Sequence, residues 1–152
     1  MLKRASLIVA LVGLCAPALA ADTANHTVTV DVQAIRDITL TGGNITITVD
    51  DATGVQDATT SLSWSVNAAS KVTVATDETA PNHTLEVTAT GLTNGTAAGA
   101  IELNSATATD FVTGIAAGTG GCTLTYDATP TMTVDPTTGD DTHSVTYTVT
   151  SS

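Results

Sequence analysis

Positive charge is the scarcest property of this chain: four Lys and Arg stand against 15 Asp and Glu, a formal net charge of −11 over 152 residues. Without a basic patch to neutralise phosphates or to dock on anionic headgroups, nucleic acid and membrane surfaces are excluded as partners. Aromatics are nearly as rare, with one Trp, two Tyr and one Phe. That leaves no platform of rings for stacking sugars, and Trp64, Tyr126 and Tyr147, each in register with aliphatic neighbours, read as core. The same scarcity removes the aromatic anchors of a hot-spot interface or a small-molecule site. Catalytic signatures are missing too. There is no Gly-x-Ser-x-Gly elbow and no Gly-rich phosphate loop before a helix. His26, His83 and His143 are scattered, none at short zinc-ligand spacing from another His or Cys, and read as solvated strand-end residues. No enzyme and no cofactor are expected.

Long apolar runs are limited to one, at the N-terminus. Met-Leu-Lys-Arg precedes an apolar stretch from Ala5 to Leu14, followed by Ala16-Pro17-Ala18-Leu19-Ala20. A run this short of the roughly 20 residues that span a bilayer, ending in a small-residue box, reads as a secretory signal peptide over 1–20, cut after Ala20. The protein is therefore expected to be secreted, extracellular or on the cell surface, as a single domain over 21–152, with no membrane insertion after cleavage. Cleavage removes Cys15, Lys3 and Arg4, leaving two cations, Arg36 and Lys71, against 15 acids, a net charge of −13. Cys122 then has no intramolecular partner in an oxidising compartment, so the fold must be held by its core and its ladders. A buried small hydrophobe is its expected role, with a bridge to another molecule as the rival.

What the chain has in abundance is alternation. Val28, Val30 and Val32 alternate with Thr27, Thr29 and Asp31, the period of a half-buried strand. Ile38 and Leu40 continue the pattern, and Gly42-Gly43-Asn44 predicts a hairpin into Ile45, Ile47 and Val49. Leu62, Trp64 and Val66, then Val72 and Val74, then Leu85, Val87 and Ala89 repeat it, with a turn expected at Thr90-Gly91 and another at Asn94-Gly95. Ile101 and Leu103, Phe111-Val112, Leu124 and Tyr126 follow, with a Gly-rich turn expected over Gly118–Gly121. Met132 and Val134 predict a short strand, and Val145, Tyr147 and Val149 the last one. With no segment of helical period, the prediction is an all-β fold: a single antiparallel immunoglobulin-like or jelly-roll β-sandwich of about 8–10 strands.

About a quarter of residues 21–152 are Thr. A β-branched side chain fits the pleated surface while its hydroxyl tolerates water, so Thr builds an outer sheet face without charge. An ice-binding face would need a strictly regular repeat, which the spacing lacks. Acids gather in loops beside Gly and Thr, and loop carboxylates with Thr and backbone carbonyls suit calcium. The candidate ligands are Asp135, Asp140 and Asp141, then Asp50 and Asp51, although no twelve-residue EF-hand loop is present. Asn25, Asn44, Asn82 and Asn94 stand in Asn-x-Thr sequons.

Two functions of different classes follow. One is a structural subunit of an extracellular filament, pilus or surface layer. In it the segment from Asp22 to Ala34 leaves its own domain and fills a neighbour's groove, with Val28, Val30 and Val32 as the subunit joint and a homopolymer as the product. The same segment can equally pair within its own sheet. The other is a monomeric secreted or periplasmic adhesion or ligand-binding module that uses the loops Asp50–Thr60 and Thr129–Thr142. The stretches His26-Thr-Val-Thr-Val-Asp-Val32, Leu40-Thr-Gly-Gly-Asn-Ile-Thr-Ile47 and Thr142-His-Ser-Val-Thr-Tyr-Thr-Val-Thr150 give a layout that resembles small secreted bacterial β-sandwich proteins of the pilin-like and spore-coat-U-like kind. That resemblance implies a fibre subunit and assigns no individual site residue.

Overall fold

Leu62, Trp64 and Val66 are buried while Ser61, Ser63 and Ser65 are exposed, and the same two-residue period recurs over Leu85–Ala89 and Cys122–Ala128. The computed structural model describes residues 24–50, 54–131 and 141–152. They fall into two units, the first ending at Asp31 and the second running from Val32.

In the second unit the described strands are β1 (Arg36–Thr41), β2 (Val55–Val66), β3 (Ser70–Thr76), β4 (His83–Thr93), β5 (Thr96–Ala97), β6 (Ile101–Glu102), β7 (Thr109–Ile115), β8 (Gly118–Pro130) and β9 (Val145–Ser151). One sheet has the order β1-β2-β8-β4-β6 and the other β5-β7-β3-β9. Every pairing is antiparallel. The predicted all-β, two-sheet sandwich is what the chain forms. Leu62, Trp64, Val87, Leu124 and Tyr126 from the first sheet meet Val72, Val74, Phe111 and Ile115 from the second in one core. Tyr126 and Tyr147 join the two sheets through a hydroxyl–hydroxyl hydrogen bond of 2.9 Å. Cys122 is buried in this core, with its thiol pushed up to about 11 by burial.

Thr and Ser form the outer face of the first sheet, as their chemistry predicts. Register places Thr41, Ser61, Thr123 and Thr90 in one row across β1, β2, β8 and β4. Such cross-strand hydroxyl pairs contribute a few tenths of a kcal/mol each.

Several local expectations are corrected. Gly118–Gly121 is no turn but the start of β8, the central strand. Its glycines are there for space: a Cβ on Gly120 would lie 2.5 Å from both the Trp64 indole nitrogen and the Thr93 carbonyl oxygen. Gly120→Ala is accordingly expected to overpack this contact and cost about 1–3 kcal/mol in urea unfolding. An unchanged midpoint would show that Trp64 moves aside freely. The Thr90-Gly91 turn is instead a shift of register within β4, between Thr90 and Thr93. Val55–Thr60 and Thr129–Pro130, read as loop, belong to β2 and β8. Met132 and Val134 lie outside the described residues.

The predicted hairpin after β1 does not form. Residues 43–50 belong to no sheet of the described residues, although Ile45, Ile47 and Val49 pack partly buried against the core. Gly42 explains the departure. It passes over β2 with φ +121°, where a Cβ would stand 2.7 Å from Thr60 Cγ2 and 2.9 Å from its Cα. At that same point β2 shifts register against β8, between Asp57 and Thr60.

Candidate functional site

The segment read as the first strand joins neither sheet of the described residues: 24–35 carry no strand assignment. Val28, Val30 and Val32 are 70%, 78% and 69% exposed, a row of branched apolar side chains in water. Every other long alternating stretch among the described strands buries its apolar side at least in part. Where the second unit takes up the chain, Asn67 holds it. The Asn67 side chain accepts from Ile35 N at 2.8 Å and donates to Gln33 O at 2.8 Å, and Asn67 N donates to Ile35 O at 3.3 Å. These three bonds fix residues 33–35 just ahead of β1.

A groove of about 1130 Å³ opens in the second unit. One wall is segment 43–49 and the other is the approach to β9, over a floor that includes Leu85, Tyr126 and Ala128. The sequence gives little warning of it, because it exists only through the departure of residues 43–50 from the sheet at Gly42.

At one end of the groove the structure gathers groups far apart in sequence. His83 and His143 lie ring to ring at 5.3 Å, edge to face. His143 Nδ1 is 3.3 Å from Thr76 Oγ1, while its Nε2 is buried with no partner among the described residues. Asp141 accepts from Asn82 N and from Asn82 Nδ2 at 3.0 Å, and lies 3.2 Å from His83 Nδ1. Asp77 Oδ1 accepts from Ser144 N at 2.7 Å. The pairing of His83 with His143 corrects their reading as scattered solvated residues. The only hint in sequence is that one begins β4 and the other stands two residues before β9.

These acids staple the loop ahead of β9 to the rest of the sandwich. The Asn82 and Ser144 amides hold the Asp141 and Asp77 carboxyls below the usual carboxylate range. Of the calcium candidates, Asp50 is exposed, Asp141 makes the contacts just described, and Asp51, Asp135 and Asp140 lie outside the described residues. Among the described residues no three His, Cys, Asp or Glu converge to hold a metal ion. The sequons also differ in placement. The Asn94 side chain is engaged on both sides, donating to Ala116 O and accepting from Ala116 N, whereas Asn25 and Asn44 are exposed.

Burial first, and the neighbouring His83 second, push the His143 imidazole below its ordinary range, against the opposing pull of Asp141, Glu78 and Asp77. The unfolded chain therefore binds a proton near pH 6.5 before the folded chain does. Stability is expected to be full above that pH and to fall as pH drops below it. A second decline follows as pH drops below the ordinary carboxylate range, where Asp77 and Asp141 of the unfolded chain take up protons before those of the folded chain do. Melting curves from pH 8 to 3 check this, and His143→Gln should flatten the first step alone.

The chain matches no family model, no curated protein and no solved structure, so its role is to be read from the Val row, the groove and the clamp between them in sequence.

Proposed function

We propose that the protein is a secreted structural subunit of an extracellular filament, pilus or surface layer, in which each subunit gives a β-strand to its neighbour. The single observation that carries this reading is the Val28, Val30 and Val32 row, about three-quarters exposed and in neither sheet of the described residues. Burying a Val side chain contributes about 1.5–3 kcal/mol, so three left in water are a strong drive toward association. Strand addition also satisfies the main chain of both partners. The absence of any internal disulfide among the described residues, where Cys122 is a buried free thiol, leaves assembly independent of redox conditions.

With 15 acids against two cations after Ala20, subunits repel at low salt, and added salt or divalent cations are expected to favour assembly. The test is negative-stain electron microscopy and sedimentation of residues 21–152, with and without millimolar calcium. Uniform filaments are the expected result. Monodisperse monomers under all conditions would overturn the reading in favour of a monomeric binding module. Assembly and melting temperature indifferent to calcium at every salt would remove the metal from it.

A further inference from the structure

We infer that the groove beside β9 is the socket for the Val row of a second copy: residues 27–33 of one subunit lie between segment 43–49 and the edge of β9 of the next. The inference rests on the filament reading above and supplies its receiving surface.

β9 is the terminal strand of its sheet, pairs with β3 among the described residues, and brings Val145 into the lining of the groove. Segment 43–49 is in no sheet and has no backbone ladder among the described residues, and its side chains alternate, with Ile45, Ile47 and Val49 half-buried between exposed neighbours. A strand entering between segment 43–49 and the start of β9 meets backbone without a ladder on one side and the beginning of a sheet edge on the other, as strand addition requires. An edge left unpaired beside a cleft would otherwise be an aggregation hazard.

The side chains match in kind and in step. Ile45, Ile47 and Val49 line one wall, and Leu85, Tyr126 and Val145 extend the apolar surface. Residues two apart on an extended chain stand roughly 6.6 Å apart, so Val28, Val30 and Val32 repeat at the interval of Ile45, Ile47 and Val49. Nor does the size suit a small molecule: at about 1130 Å³ the groove exceeds the roughly 300–1,000 Å³ of such sites.

The occupant is argued from the chain itself. Among the described residues the exposed large apolar side chains are Val28, Val30, Val32, Ile35 and Leu40, so three of these five belong to this row. Charge points the same way. Residues 24–34 carry one acid, Asp31, in a chain with 15, and so are among the segments least repelled by another copy. The groove's charged end also presents two imidazoles, His83 and His143, beside Asp141.

Disulfide trapping between full-length secreted chains tests this. One carries Val30→Cys, the other Ile47→Cys, and they are mixed under mild oxidation. Cys122 stays silent, being buried with its thiol pushed up to about 11. The control partner is Ser63→Cys, exposed on the outer face of β2. Val49→Cys replaces Ile47→Cys if the latter alters the melting curve. The expected result is a covalent heterodimer in at least tenfold excess over the Ser63 control. Filaments without that excess would overturn the socket and leave the filament reading standing. No filaments and no trapped dimer would overturn both. Trapped dimers without filaments would uphold the socket while replacing the open polymer by a closed reciprocal pair.

Discussion

Replacing Val28, Val30 and Val32 together by Asp is expected to abolish assembly while leaving the subunit folded. The three side chains are 70%, 78% and 69% exposed in the single chain, so nothing in the core is lost when they change. Surface substitutions of this kind alter stability by about 0.5 kcal/mol or less. In the assembled state, by contrast, each buried Val contributes about 1.5–3 kcal/mol, and three carboxylates would have to lose their water as well. A loss of at least about 4 kcal/mol raises the concentration needed for assembly by about three powers of ten. Sedimentation across a concentration series measures this directly. Filaments at the wild-type concentration would show that the joint lies elsewhere. A control with Thr29→Asp, on the opposite side of the extended segment, should assemble with a far smaller penalty.

Phe111→Ala should have the largest effect on the subunit itself. Phe111 is fully buried in β7, the largest such side chain in the core, and its ring lies 5.5 Å from that of Tyr147 on β9. Deleting it removes the transfer contribution and leaves a cavity between the sheets, a cost of about 3–5 kcal/mol. Domains of this size are stable by about 5–15 kcal/mol, and the described chain has no disulfide to limit the damage. Urea unfolding should show a lowered midpoint with an unchanged slope. Phe111→Leu should recover most of the loss. A midpoint for Phe111→Ala near wild type would mean that the two sheets close over the space.

How far the sequence discloses this depends on which physical signal each part uses. The strands containing Leu62–Val66, Val72–Val74, Leu85–Ala89 and Val145–Val149 are legible because one face of each meets the core, and burial imposes period two. The same period misleads at Val28–Val32 and Ile45–Val49. Alternation reports that a segment is suited to a sheet; it does not report that a neighbour in the same chain is available. Those two stretches are the ones that form the joint and the socket wall of the proposed assembly, so the failure falls on the functional segments. Glycine was misread for another reason. Gly120 and Gly121 look like a turn, but they answer to the bulk of Trp64 and to the carbonyl oxygens of Thr93 and Leu62, which are 27 to 59 residues away in the chain. The charged end of the groove was illegible on the same ground, since Asn82 and Asp141 are 59 residues apart. Of the site residues expected from sequence, Val28, Val30 and Val32 are exposed. Of the acidic candidates that can be placed, Asp141 staples the loop ahead of β9 and Asp50 is exposed.

The strand order also sets a timetable for folding. β8 is the middle of its sheet, yet both of its partners, β2 and β4, are made long before it. β3 likewise waits for β9, with Thr73 paired to Thr148 across 75 residues. A chain synthesised only as far as β7 therefore holds β1-β2, β4-β6 and β5-β7-β3 as separate pieces, with no β8 to join the first two into one sheet. Such non-local pairing folds slowly, on the millisecond-to-second scale. During that interval the emerging strands are open to chaperones and equally to one another. Closure of the second sheet waits for β9, so removal of β9 should yield no partly folded subunit, only an unfolded chain.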